Sequence, residues 1–77
     1  MKTLHLYVKA EASAGADIAE VVVDMVELAA RIGTPIECGL NGVTTIAYPG
    51  DKAGDLFMAW QAALNSSHQV KIALVRP

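Results

Sequence analysis

The sequence predicts an α+β fold of six elements in the order strand, helix, strand, strand, helix, strand. Two kinds of apolar spacing indicate it: period-two alternation in the predicted strands and three- to four-residue spacing in the predicted helices. The third observation is Asn41-Gly42 between two short apolar segments, the pattern of a tight hairpin. A chain of 77 residues is long enough for one domain, residues 1–77.

The first strand is predicted over residues 3–9, because apolar and polar side chains alternate there. One face carries Leu4, Leu6 and Val8, and the other carries His5, Tyr7 and Lys9. The first helix should begin at Asp17, which forms an N-capping pattern with Glu20. Gly33 and Pro35 should end this helix. The β-branched residues 21–23 favour a strand locally, but apolar residues recur at helical spacing for four turns.

The hairpin is predicted to pair residues 36–40 with residues 43–48 through a type I′ turn. Asp51 should cap a second helix that runs to about Asn65. The last strand should lie within residues 70–75, with Val70, Ile72 and Leu74 facing the core. The core should therefore contain Leu4, Leu6, Val8, Val22, Met25, Ile36, Leu40, Trp60 and Ile72.

This element order is that of the ferredoxin-like βαββαβ sandwich, a four-stranded antiparallel sheet with two helices on one face. Right-handed crossovers would place both helices on the same side. The other face of the sheet would then be open. Its predicted interface residues are His5, Tyr7, Thr44, Ile46, Tyr48 and Val75.

Composition favours association with another protein. The chain is 53% hydrophobic and 18% charged, and a domain of this size has a thin core, so apolar surface should remain outside. We expect a homodimer, another protein partner, or both. The net charge is −2 and the basic residues are scattered, which disfavours a nucleic-acid partner. No apolar run is long enough to span a membrane, and a single cysteine, Cys38, indicates a reducing cytoplasm.

No residue pattern indicates catalysis, a metal site or a cofactor. His5 and His68 are far apart in sequence, and no His, Cys and Asp set has ligand spacing. No nucleophile has a recognisable base nearby. We therefore predict a non-enzymatic protein without cofactors.

A second predicted surface is the acidic outer face of the first helix. Four acidic residues follow one another at helical spacing, and Arg31 is the one basic residue near them. Such a stripe is usually a solvated face, and the alternative is docking onto a basic partner. The stripe consists of Asp17, Glu20, Asp24 and Glu27.

Two families share the predicted element order and give alternative functions. "LYVKA" at residues 6–10 and "NGVTTIAY" at residues 41–48 resemble the strand signatures of the RNA-recognition motif. Val43 and Thr45 stand where that family has stacking aromatic residues, so the resemblance implies at most a degenerate RNA binder. The loop "AEASAGAD" resembles the ligand loop of the ACT domain at Gly15, which implies a small-ligand-binding regulatory domain.

The segment "NGVTTIAYPGD" and the alanine-rich helix after it resemble short phage and prophage proteins of unknown function. This resemblance implies an accessory protein that acts in the bacterial or host cytoplasm and binds a host protein or defence complex. The sequence as a whole therefore predicts a small protein-interaction module.

Overall fold

The computed structural model describes residues 8–12 and 15–75. It confirms the α+β class and the order of the six elements. Residues 3–7 of the predicted first strand lie outside the described residues. The elements are β1 (Val8–Ala10), α1 (Ile18–Ile32), β2 (Ile36–Leu40), β3 (Val43–Ala47), α2 (Ala53–Leu64) and β4 (Ile72–Leu74).

The sheet has the strand order β1-β2-β3-β4. The β2–β3 hairpin is antiparallel and central, and each outer strand is parallel to its neighbour. This mixed order differs from the predicted ferredoxin-like antiparallel sheet, in which β1 would lie next to β3. The local signals in the sequence define the hairpin, but they do not determine which hairpin strand pairs with β1.

Both helices pack on one face of this sheet, because α1, α2 and the inward side chains of β2 and β3 share one core. In the strand order, β2 lies to the same side of β1 as β4 does of β3. The strands β1 and β2, however, run antiparallel to β3 and β4. Two right-handed crossovers would therefore place the helices on opposite faces. One crossover must have the rarer left hand.

The helix α1 begins and ends where the sequence predicts. The Asp17 carboxylate accepts a hydrogen bond from the Ala19 backbone N–H at 3.4 Å. Gly33 ends the helix in the left-handed conformation, with φ 70°, and its N–H donates to the Ala29 carbonyl. Val22 is buried despite its β-branched neighbours, so the amphipathic spacing outweighs the local strand preference.

The hairpin register follows from its two-residue turn. Asn41 and Gly42 have φ values of 51° and 80°, as a type I′ turn requires. Leu40 therefore pairs with Val43. The hairpin side chains on the helix face of the sheet are all buried: Ile36, Cys38, Leu40, Val43, Thr45 and Ala47.

The start of α2 differs from the prediction. Lys52 occupies the N-cap position without a side-chain cap bond. Asp51 is instead buried, and its carboxylate accepts a 2.8 Å hydrogen bond from the Tyr48 N–H. The Asp51 N–H donates to the Tyr48 carbonyl, and Gly50 has φ 93°. Asp51 therefore closes the turn before α2 rather than capping the helix.

The core is centred on Trp60. Its indole N–H donates to the Leu40 carbonyl at 3.0 Å, and its ring stacks on Phe57 with a centroid distance of 5.6 Å. Val22, Met25 and Ile36 are buried beside it, as predicted. Leu4 and Leu6 lie outside the described residues.

Two predicted core residues, Val8 and Ile72, are exposed. Val8 is 41% exposed because neither helix packs on β1. Ile72 is 52% exposed because the facing of β4 is the reverse of the predicted one. Ala73, which pairs with buried Thr45, is the residue of β4 that faces the helices. The Lys71 ammonium donates to the Leu64 carbonyl at 2.7 Å. That contact turns residues 71 and 73 toward the helices.

Candidate interaction surfaces

The predicted open face of the sheet is partly closed. Ile46 lies on this face but is only 7% exposed, and its cross-strand partners Glu37 and Leu74 are half-buried. Thr44 and Tyr48 are also half-buried. Little apolar surface is therefore left at the centre of this face. His5 and Tyr7 lie outside the described residues, and Val75 follows β4 in an exposed bend.

The two outer edges of the sheet differ in chemistry. On β1, Lys9 is exposed and forms an ion pair with Glu37, with 3.8 Å between the Lys9 Nζ and the Glu37 Oε2 atoms. On and beside β4, the exposed side chains are apolar: Ile72 is 52% exposed and Val70 is 75% exposed. Val8 on β1 is also exposed, at 41%, but β1 presents it beside the charged Lys9, whereas more of the exposed apolar surface lies at the β4 edge.

The backbone of β4 is also available at this edge. The Lys71 carbonyl accepts a hydrogen bond from the Thr44 N–H at 2.9 Å, so residue 71 points its polar groups at β3. Backbone groups alternate in direction along a strand. The N–H and C=O groups of Ile72 and Leu74 therefore point away from β3, toward the outer edge. Within the described residues, β4 has no strand on that side.

The predicted interface does not include the β4 edge, although a signal for it is present in the sequence. "VKIALV" combines β-branched and aliphatic residues with one charge and no proline. Edge strands are normally protected by charged residues or proline. The predicted facing of this strand, with Val70, Ile72 and Leu74 toward the core, is wrong, and the pattern misleads because both faces carry apolar residues.

The predicted acidic stripe lies on the solvent side of α1. Asp17 serves as the helix cap, and Glu20, Asp24 and Glu27 are exposed. Val23, which is also exposed, lies beside them. The structure therefore brings the stripe together on one surface, and its role in docking stays a prediction.

The described residues offer few groups for chemistry. Cys38 is a free, buried thiol. Burial raises its pKa, and so does the nearby Glu11 carboxylate, while a hydrogen bond from the Ala12 backbone lowers it. No cluster of three or more His, Cys, Asp or Glu side chains in residues 8–12 and 15–75 could hold a metal ion. Neither described helix is long and apolar enough to cross a membrane.

No family model, curated protein or solved structure matches the chain.

Proposed function

We propose that this chain is a small non-enzymatic protein-interaction module that binds a partner strand at the β4 edge, and that the partner is a second copy of the chain. One observation carries the proposal. The exposed apolar side chain of Ile72 and the outward backbone groups of Ile72 and Leu74 lie on the same outer strand.

Strand addition at an exposed edge obtains affinity from main-chain hydrogen bonds and specificity from alternate side chains. At the β4 edge, Ile72 and Leu74 supply both kinds of contact. Lys9 on the exposed β1 edge would have to be desolvated in a similar pairing. This difference favours β4 as the binding edge.

Two copies fit each other at this edge if β4 pairs antiparallel with itself about a two-fold axis through Ala73. Ile72 of each copy would then lie opposite Leu74 of the other, and the outward N–H and C=O groups of both residues would be paired. The two four-stranded sheets would join into one continuous sheet. The apolar side chains at the junction would gain about 25 cal/mol per Å² buried, less the cost of association.

The same edge suits a short phage-type accessory protein that binds a host protein or defence complex, because a host strand can pair as a second copy does. In that case the β4 edge is paired within the dimer until the host partner binds. The host partner would compete with the dimer for the same backbone groups.

Sedimentation velocity of the wild type and two lysine variants tests the proposal. Ile72→Lys places a charge at the proposed junction, and Met58→Lys is the matched control, because Met58 is an exposed apolar residue on α2. We expect the wild type and M58K to be dimers at tens of micromolar. We expect I72K to be a monomer that keeps the circular-dichroism spectrum of the folded chain, with a melting temperature lower only by the stabilisation that dimerisation gives the wild type. A monomeric wild type at high micromolar concentration, or an I72K dimer as tight as the wild type, would contradict the proposal.

A further inference from the structure

A cavity lies at the opposite edge of the sheet, beside β1. The helices pack on β2, β3 and β4 and leave β1 without a helix above it. The space between β1, the residues that follow it and the flank of α1 has a volume of about 230 Å³. This cavity is therefore a direct consequence of the strand order.

The walls of the cavity are mostly apolar. Ile36 and Cys38 of β2 contribute one wall, and both are almost fully buried. Met25 and Leu28 contribute the wall on the α1 side. Alanines at the β1 side keep the space open, because their side chains are too short to fill it. They are Ala10, Ala12 and Ala16.

The charged groups that line the cavity are both acidic. They are Glu11, which follows β1, and Asp24 on α1. Both are exposed, and neither forms an ion pair within the described part of the chain. No described basic residue lines the cavity. An apolar space whose only charged groups are two carboxylates favours a cation with an apolar body and disfavours an anion.

We propose that this cavity binds a small organic cation, an ammonium group carried on an apolar body about the size of one aromatic side chain. The apolar body lies against Val21 and Leu28, the half-buried aliphatic side chains of the lining, and against the lining alanines. The ammonium group lies between Glu11 and Asp24. The volume is just below the range of about 300–1,000 Å³ typical of pockets for drug-sized ligands, which limits the ligand to a small amine.

This site is independent of the proposed β4 interface. The cavity lies at the β1 edge, and β1 and β4 are the two outer strands of the sheet. Failure of either proposal therefore leaves the other unaffected.

Binding of 2-phenylethylammonium, followed by ¹H–¹⁵N NMR on the full chain, tests the proposal. Two probes of similar size serve as controls: neutral 2-phenylethanol and anionic 3-phenylpropanoate. We expect saturable shifts for the cation at Ala12, Asp24 and Cys38, with affinity at least about threefold above that of the alcohol, because exposed charge pairs contribute modestly. The anion should produce no saturable shift.

Charge variants locate the ammonium group. The double variant Glu11→Gln, Asp24→Asn should weaken binding of the cation about threefold to tenfold and leave binding of the alcohol unchanged. Glu27→Gln is the matched control, because Glu27 is acidic and lies on α1 but does not line the cavity. It should change the affinity less than twofold.

The proposal is overturned by any of three results. The first is the absence of a saturable shift for the cation up to 10 mM, on the order of the weakest binding that a ligand of this size would show. The second is binding of the alcohol or the anion as tight as that of the cation. The third is binding of the cation by the double variant with wild-type affinity.

Discussion

Trp60 joins the second helix to the hairpin through one polar and several apolar contacts. Its indole N–H donates to the Leu40 carbonyl, and its ring stacks on Phe57. Removal of the indole N–H would take this hydrogen bond from the buried carbonyl and from the core. The indole is therefore both a core filler and the partner of a strand carbonyl.

Truncation of this residue should separate the two roles. Trp60→Ala should destabilise the fold by about 3–5 kcal/mol, because it removes a buried ring and leaves a cavity. Trp60→Phe keeps most of the packing but removes the donor, and should cost about 1–3 kcal/mol. Urea unfolding followed by circular dichroism measures both. Equal losses for the two variants would show that the hydrogen bond, not the packing, dominates.

The Cys38 thiol should make the stability of the fold fall at alkaline pH. Burial raises its pKa in the folded chain. Above the ordinary thiol value of about 8.5, the unfolded chain loses this proton before the folded chain does. The free energy of unfolding therefore falls with rising pH until the folded thiol also ionises.

Comparison of the wild type with Cys38→Ala at pH 7 and pH 9.5 isolates this effect. The wild type should lose more stability than C38A over this interval, since only the wild type carries the thiol. Urea midpoints give the two losses. If the losses are the same, ionisation of Cys38 is not linked to folding.

At the scale of secondary-structure elements, the hairpin requires glycine at position 42 more than at position 39. Gly42 has φ 80° in the type I′ turn, whereas Gly39 lies in β2 at an ordinary φ. A Cβ at either position meets no atom within 4 Å. Both positions therefore have space for a methyl group, and only the value of φ distinguishes them.

Gly42→Ala should therefore destabilise the chain by about 1 kcal/mol or more, because alanine is strained at positive φ. Gly39→Ala is the matched control and should be neutral or slightly stabilising, because it restricts the unfolded chain. Thermal unfolding of the two variants provides the comparison. Equal melting temperatures would contradict the type I′ assignment.

The sequence predicts the elements better than their arrangement, for physical reasons. Asp17, Gly33 and Asn41-Gly42 act on neighbouring backbone, so the limits of α1 and the hairpin register could be predicted locally. The facing of β4 could not, because it depends on the distant contact of Lys71 with the end of α2. Asp51 was assigned as a cap for its residue type, but the turn that it closes requires Gly50 and Tyr48 as well.

The predicted open face illustrates the same limit for the candidate site. Alternation along the strand places Ile46 on that face, as predicted, but it does not reveal that Ile46 is nearly fully buried there. The exposed apolar surface lies farther out, at Ile72 and Val70. The strand order decides which strand becomes the edge, and local sequence signals do not determine it.

At the scale of the whole molecule, the two sheet edges have different roles in our proposals. The two helices cover three of the four strands. The uncovered strand, β1, borders a cavity with two carboxylates. The outer strand at the other side, β4, presents apolar side chains and backbone groups that no other described strand pairs. A ligand at one edge and a partner at the other can therefore bind at the same time.

Amide hydrogen exchange at β4, measured by NMR at low and high protein concentration, tests the central proposal most directly. The N–H groups of Ile72 and Leu74 point outward, while that of Ala73 points toward β3 and serves as the internal control. We predict that exchange at Ile72 and Leu74 slows several-fold between 10 µM and 1 mM as the edges pair, up to a limit of about tenfold set by the mass action of dimerisation, while Ala73 changes less than these two. Fast exchange at Ile72 and Leu74 at both concentrations would contradict pairing of the chain with itself at this edge.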